Sequence, residues 1–174
     1  INNLVENTEP LRCAYDPNDK LVDKGNAWPE GYTLLGDRLT YTIRFQNTGN
    51  DTAFNVVIVD TLDALNMDPL TLEVVGHSHP MEFEIAGAGV LTFTVPNIML
   101  PDSGVDFANS NGFVQFAISP RDSMVEGTEV RNTAGIYFDF NPAIVTNTTL
   151  NTFVSKLPEI VDPVSVRQIG ELNY

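Results

Sequence analysis

Cysteine is almost missing from this 174-residue chain: Cys13 stands alone. No intramolecular disulfide can form, so bridges give no reading of the redox compartment. The lone thiol reads as a small buried hydrophobe, with no histidine near it in sequence to activate it. Basic residues are scarce as well, with 9 Lys and Arg against 23 Asp and Glu, for a formal net charge of −14. Phosphate backbones and anionic lipid surfaces are recognised by clustered Lys and Arg, so nucleic acid and membrane surfaces are excluded as expected partners. No apolar run approaches the roughly 20 residues of a membrane-spanning helix, and residue 1 does not open a charged-then-apolar signal peptide. The chain begins on Ile1 and not on Met, which reads as a fragment or a processed product. The Ala-Glu-Lys-Leu mixture of helical bundles is also lacking.

What is present is a strand-forming composition. Hydrophobic residues make up 43% of the chain, enough for a core. They arrive as short Thr-, Val-, Ile- and Phe-rich runs punctuated by Gly, Pro, Asn and Asp. The clearest run is Leu39, Tyr41, Ile43 and Phe45 alternating with Arg38, Thr40, Thr42 and Arg44, the period of a half-buried strand. A turn at 47–51 follows, and 54–62 reads as the return strand, more continuously apolar and so more central. Residues 81–85 and 91–95 alternate on either side of Gly87-Ala88-Gly89 and read as a hairpin. Further strands are expected at 21–22, 70–75, 112–119, 129–138 and 144–154. The sum is an all-β, immunoglobulin-like β-sandwich of about eight or nine mostly antiparallel strands, with no helix of three turns. Residues 1–15 read as a lead-in, 16–156 as the sandwich and 157–174 as a tail.

The segments Tyr41-Thr42-Ile43-Arg44-Phe45-Gln46-Asn47-Thr48-Gly49, Ala53-Phe54-Asn55-Val56, Val59-Asp60-Thr61-Leu62 and Asn132-Thr133-Ala134 resemble the immunoglobulin-like conserved-repeat domains of bacterial surface proteins. Four more stretches are similar to one subgroup: Cys13-Ala14-Tyr15-Asp16-Pro17-Asn18-Asp19-Lys20, Ser78-His79-Pro80, Leu100-Pro101-Asp102-Ser103 and Ile136-Tyr137-Phe138-Asp139-Phe140-Asn141. That subgroup lies near the C-terminus of proteins exported by type IX secretion, just before a sorting domain. The resemblance implies an extracellular or cell-surface location and a spacer, stalk or adhesive role, with no catalytic activity.

Four constellations carry candidate chemistry. If 20–23 begins the first strand, immunoglobulin order gathers three turns at one pole. They bear Asp16, Asn18 and Asp19; Asn47, Asn50 and Asp51; and Asp139 and Asn141. Carboxylates, amides and carbonyls are the ligands Ca²⁺ takes, and calcium is the one candidate cofactor; turn formation accounts for the same residues. A second reading joins Lys20 or Lys24 to Asn132 or Asn141 by an isopeptide bond under a buried carboxylate, as in surface-fibre domains of similar fold, with no acid assignable from sequence. Trp28 and Tyr32 offer a carbohydrate-stacking pair, against a plainer packing role. Thr52, Thr61 and Ser123, each after an Asp, match a two-residue bacterial O-glycan pattern that the resemblance suggests. His77 and His79 flank Ser78 without a third ligand or a hydrolase motif, and read as a strand end before Pro80.

The expected function is a non-catalytic structural or adhesive module. Its partners are neighbouring domains of the same protein or identical subunits, joined by strand addition at an open edge. The alternative is a carbohydrate- or ligand-binding accessory module of a secreted enzyme.

Overall fold

The alternation that begins at Leu39 is realised as β3 (Leu39–Gln46), whose Leu39, Tyr41, Ile43 and Phe45 are buried. The computed structural model describes residues 17–159; the lead-in, Cys13, Asp16 and the tail from 160 onward lie outside them. The other strands are β1 (Asp19–Val22), β2 (Tyr32–Leu34), β4 (Val56–Thr61), β5 (Met67–His77), β6 (Glu82–Ala86), β7 (Val90–Val95), β8 (Asn111–Pro120), β9 (Glu129–Asn132), β10 (Ala134–Phe138), β11 (Ile144–Val145) and β12 (Thr149–Val154). No helix is present among the described residues.

Three sheets result, ordered β1-β3-β8-β5, β11-β10-β4-β7-β6 and β2-β12-β9. The first two press together through inward-facing aromatics. Phe116 of β8 stacks on Phe93 of β7 at 5.7 Å, and Phe45 of β3 meets Phe138 of β10 edge-on at 6.4 Å. These contacts and the period-two burial make an immunoglobulin-like sandwich, as the sequence pattern leads one to expect. Pairing is antiparallel except between β2 and β12.

Two expectations need correction. Residues 39–62 are not a paired strand–turn–strand unit: β3 pairs with β1 and β8, whereas β4 pairs with β7 and β10 in the other sheet. Both strands bury one apolar face, and the connection between them passes from one sheet to the other, where a hairpin would have folded back within one sheet. The runs 129–138 and 144–154 are likewise not single strands. The first breaks at Thr133, where β9 in the three-stranded sheet gives way to β10 in the five-stranded one, and the second breaks between β11 and β12. These breaks, with short β2, raise the strand number to twelve. The hairpin over 81–95 is present as β6 and β7.

Close backbone approach explains one glycine. Gly31 sits at φ 67° directly under the Leu150 carbonyl, so that β2 can run beside β12. A side chain there would meet both a disfavoured backbone region and a fixed oxygen.

Candidate functional site

In β1 the burial alternates so that Lys20 and Val22 face the core, opposite Ile43 and Tyr41 of β3. Lys20 is held in that register by Asn147, whose Oδ1 accepts from the Lys20 N–H and whose Nδ2 donates to the Lys20 carbonyl, each at 2.9 Å. The side-chain amide thus imitates a neighbouring strand on the outer edge of β1. In β4 the inward positions are Val56, Ile58 and Asp60, with Asp60 opposite Leu91 and Ala134. In β9 they are Val130 and Asn132, with Asn132 opposite Thr149 one residue before the chain changes sheets. Three strands from three sheets therefore deliver an amine, a carboxyl and a carboxamide to the interior.

The side chains meet. Lys20 Nζ forms a short hydrogen bond with Asp60 Oδ2, and both residues are 0% exposed. The amine lies over the Tyr41 ring, 4.7 Å from its centre, and 5.4 Å from the centre of Phe116. Asn132, 3% exposed, interacts with both the Asp60 carboxyl and the Tyr41 hydroxyl. Those interactions fall short of standard hydrogen-bond geometry: Asn132 Oδ1, Asp60 Oδ1 and the Tyr41 hydroxyl are buried without a partner. Buried polar groups are normally paired, so three orphans in one cluster mark a site out from ordinary core.

Burial dominates the electrostatics. It pulls the Lys20 amine below the usual lysine range against the opposing attraction of Asp60, and pushes the Asp60 carboxyl above the usual carboxylate range against Lys20 and Asn132. It also raises the Tyr41 phenol, with the nearby Asp60 adding to the effect. Both shifts favour the uncharged pair, an amine with a free lone pair beside a protonated acid. Such a pair is nucleophile and proton carrier together.

The other anticipated residues are placed as follows. Lys24 is exposed beyond the end of β1, and only its carbonyl is engaged, by Asn151 Nδ2 at 3.2 Å; Asn141 is exposed in the turn after β10. Oxygens of these turn residues serve backbone N–H groups. Asn18 Oδ1 accepts from Gln46 at 3.0 Å, Asn47 Oδ1 from Gly49 at 3.1 Å and Asp51 Oδ1 from Thr52 at 2.8 Å. Asp139, at φ 52°, accepts from Phe54 at 3.0 Å and Asn55 at 2.7 Å, and Asp19 is paired with Arg44. Among the described residues no group of three His, Cys, Asp or Glu side chains is arranged to hold a metal. Trp28 is half-buried and meets Tyr32 edge-on, centroids 6.2 Å apart at 68°. Thr61 and Ser123 are exposed and Thr52 is partly so. His77, Ser78 and His79 bond one another, and Ser78 Oγ accepts from the Phe113 N–H at 2.8 Å, which ties the end of β5 to β8.

Asp60 is the residue that sequence reasoning missed. Its signal was the parity it shares with Val56 and Ile58, hidden inside a run of β-branched residues.

Comparison with solved structures shows a likeness of fold to two bacterial proteins. The chain is similar to BcpA, the major pilin subunit of Bacillus cereus, with 19% identity over 77% of this chain and 40% of that one and a TM-score of 0.50. It is also similar to a mutant C-terminal region of BspA, an AgI/II polypeptide of Streptococcus agalactiae, with 18% identity over 77% of this chain and 46% of that one and a TM-score of 0.51. The chain thus spans less than half the length of either structure, and at these identities the likeness is one of fold. No curated protein matches the sequence. Residues 16–152, which hold all three strands of the buried cluster, match the domain of unknown function DUF7619, and the chain belongs to that family.

Proposed function

We propose that this domain is a non-catalytic structural or adhesive module of an extracellular or cell-surface protein, exported by the type IX route. In this reading it provides spacing and stiffness between neighbouring domains or identical subunits. The observation that carries the reading is where the chemistry lies. The one buried grouping of amine, acid and amide among the described residues is sealed in the core at 0 to 3% exposure, beyond the reach of a substrate. Reactive groups so enclosed act on the chain that bears them. The fold adds a route to assembly: β6 is an edge strand exposed along its whole length and paired on one side only, with β7. Unpaired N–H and C=O groups on such an edge accept a strand from another chain.

Sedimentation across a range of concentrations tests this reading. We expect concentration-dependent association that disappears when residues 1–10 are deleted or when Phe83 and Ile85 on the edge are both replaced by Lys. A chain that stays monomeric throughout and binds a glycan array in a manner abolished by Trp28→Ala would overturn it in favour of a carbohydrate-binding module.

A further inference from the structure

The Lys20–Asp60 contact is a poor device for stability alone. Each buried ion forfeits several kcal/mol of hydration, and a well-packed apolar pair of similar volume generally serves a core as well or better. The surroundings deepen the puzzle. Tyr41 and Phe116 wall in the amine, Phe93 packs behind Phe116, and the amide oxygen of Asn132 finds no donor in this apolar setting. Lys20 and Asn132 share two neighbours, Asp60 and Tyr41, which brings both to one cluster. An orphaned amide oxygen, an orphaned carboxyl oxygen and a desolvated amine are the parts of an acyl transfer waiting to occur.

We propose that Lys20 and Asn132 join through an intramolecular isopeptide bond, with Asp60 as the acid that polarises the amide and carries the proton to the departing ammonia. In its protonated form Asp60 donates to Asn132 Oδ1, which draws electron density from Cγ. The lone pair of uncharged Lys20 Nζ attacks Cγ to give a tetrahedral intermediate. Asp60 relays a proton from Nζ to Nδ2, the Cγ–Nδ2 bond breaks, and ammonia leaves. The Nζ–Cγ bond remains as a secondary amide, and Asp60 ends in the protonation state in which it began. No oxidant, metal or external acid enters the balance.

The product resolves the anomaly of the cluster. The carbonyl of the new amide accepts from Asp60, so two of the orphaned oxygens satisfy each other in the finished domain. The exclusion of water that makes the unreacted pair costly also protects the tetrahedral intermediate from hydrolysis. Because the three groups lie on three different strands of three sheets, they meet only once the sandwich has closed. Folding itself therefore controls when the bond forms. The bond would tie the first strand of the domain to β9, so that β1 to β9 lie within one covalent loop and β10 to β12 follow it. This inference does not rest on the proposed adhesive role, since a self-stapled domain of any function would carry the same linkage.

Intact-mass spectrometry of the folded, purified chain tests it. Wild type is expected to weigh less than its sequence by one ammonia, about 17 Da. Digestion is expected to release a branched peptide joining the segment around Lys20 to that around Asn132. Asp60→Ala and Lys20→Ala, checked for folding by circular dichroism, are expected at full sequence mass. Asn132→Asp is expected to lose water in place of ammonia if it reacts. Wild type at full sequence mass would overturn the proposal. So would a loss of one water, about 18 Da, localised to a Lys20–Asp60 linkage, which would make Asp60 the electrophile and not the proton carrier.

Discussion

Replacing Asn132 with alanine isolates the energetic effect of the proposed linkage. The substitution removes the acyl acceptor but leaves Lys20 and Asp60 to satisfy each other, so no lone charge is stranded in the core. It also removes the carbonyl that accepts from Asp60 in the linked domain, a direct cost of about 1 kcal/mol. What remains is the covalent loop, which spans about 110 residues from position 20 to position 132. In the chain-entropy treatment of cross-links, a closure of that length restricts the unfolded chain by about 5 kcal/mol at 25 °C. For a domain of this size each kcal/mol moves the midpoint by roughly 3 °C, so the variant should melt about 15 °C below wild type. Differential scanning calorimetry at neutral pH measures the difference directly. A midpoint within about 3 °C of wild type would refute the reasoning, since a 1 kcal/mol effect is what loss of an ordinary buried side-chain contact produces.

Further expectations follow from the same structure. In Lys20→Met the raised Asp60 carboxyl loses the amine that partly offset its burial. A carboxyl whose folded-state value is raised binds more protons folded than unfolded above the unfolded value of 3.8, so the variant's stability, fullest in acid, declines as pH rises through the folded value. Urea melts at pH 4 and pH 7.5 should show that decline, and the further change Asp60→Leu should abolish it. Gly31→Ala should cost more than about 3 kcal/mol, because its Cβ meets the Leu150 carbonyl at a positive φ. Gly36→Ala, also at positive φ but facing open space, should cost only about 1 kcal/mol in the same denaturation assay. Chelation with EDTA should leave the melting midpoint unchanged, since the carboxylates of Asp51 and Asp139 are committed to backbone N–H groups. A fall of several degrees would show that a bound cation supports these turns.

The strands and the cluster differ in how far they can be read from sequence. The alternation through Leu39, Tyr41, Ile43 and Phe45 encodes burial residue by residue, and β3 follows from it; the Gly87-Ala88-Gly89 turn likewise announces the β6–β7 hairpin. The pairing of strands is another matter. A loop that returns along the same sheet and one that crosses to the other use the same Asn, Gly and Asp residues, which is why 39–62 resembles a hairpin and is none. The cluster depends on that missing information. Lys20 sits in a strand of four residues, too short to display a period. Asn132 stands one residue before a switch of sheets at Thr133, which interrupts the alternation of an otherwise continuous run. Residue chemistry named Lys20 and Asn132 only as alternatives to Lys24 and Asn141, and it missed Asp60. Yet in a strand whose inward positions are Val56 and Ile58 the next one inward is an aspartate, and a carboxyl at a core position demands a partner. β1 and β9 are where topology supplies its partners.

Pulling single domains by their ends tests the central claim that the buried cluster makes this module a covalently closed unit. If Lys20 and Asn132 are joined, force can unravel only the chain outside positions 20 to 132, whatever happens to the sandwich. About 110 residues at 3.3–3.6 Å each, close to 400 Å of contour, would then be absent from the wild-type unfolding step. That length should reappear in full in Lys20→Ala. A wild-type domain that releases the whole contour on unfolding would contradict the account.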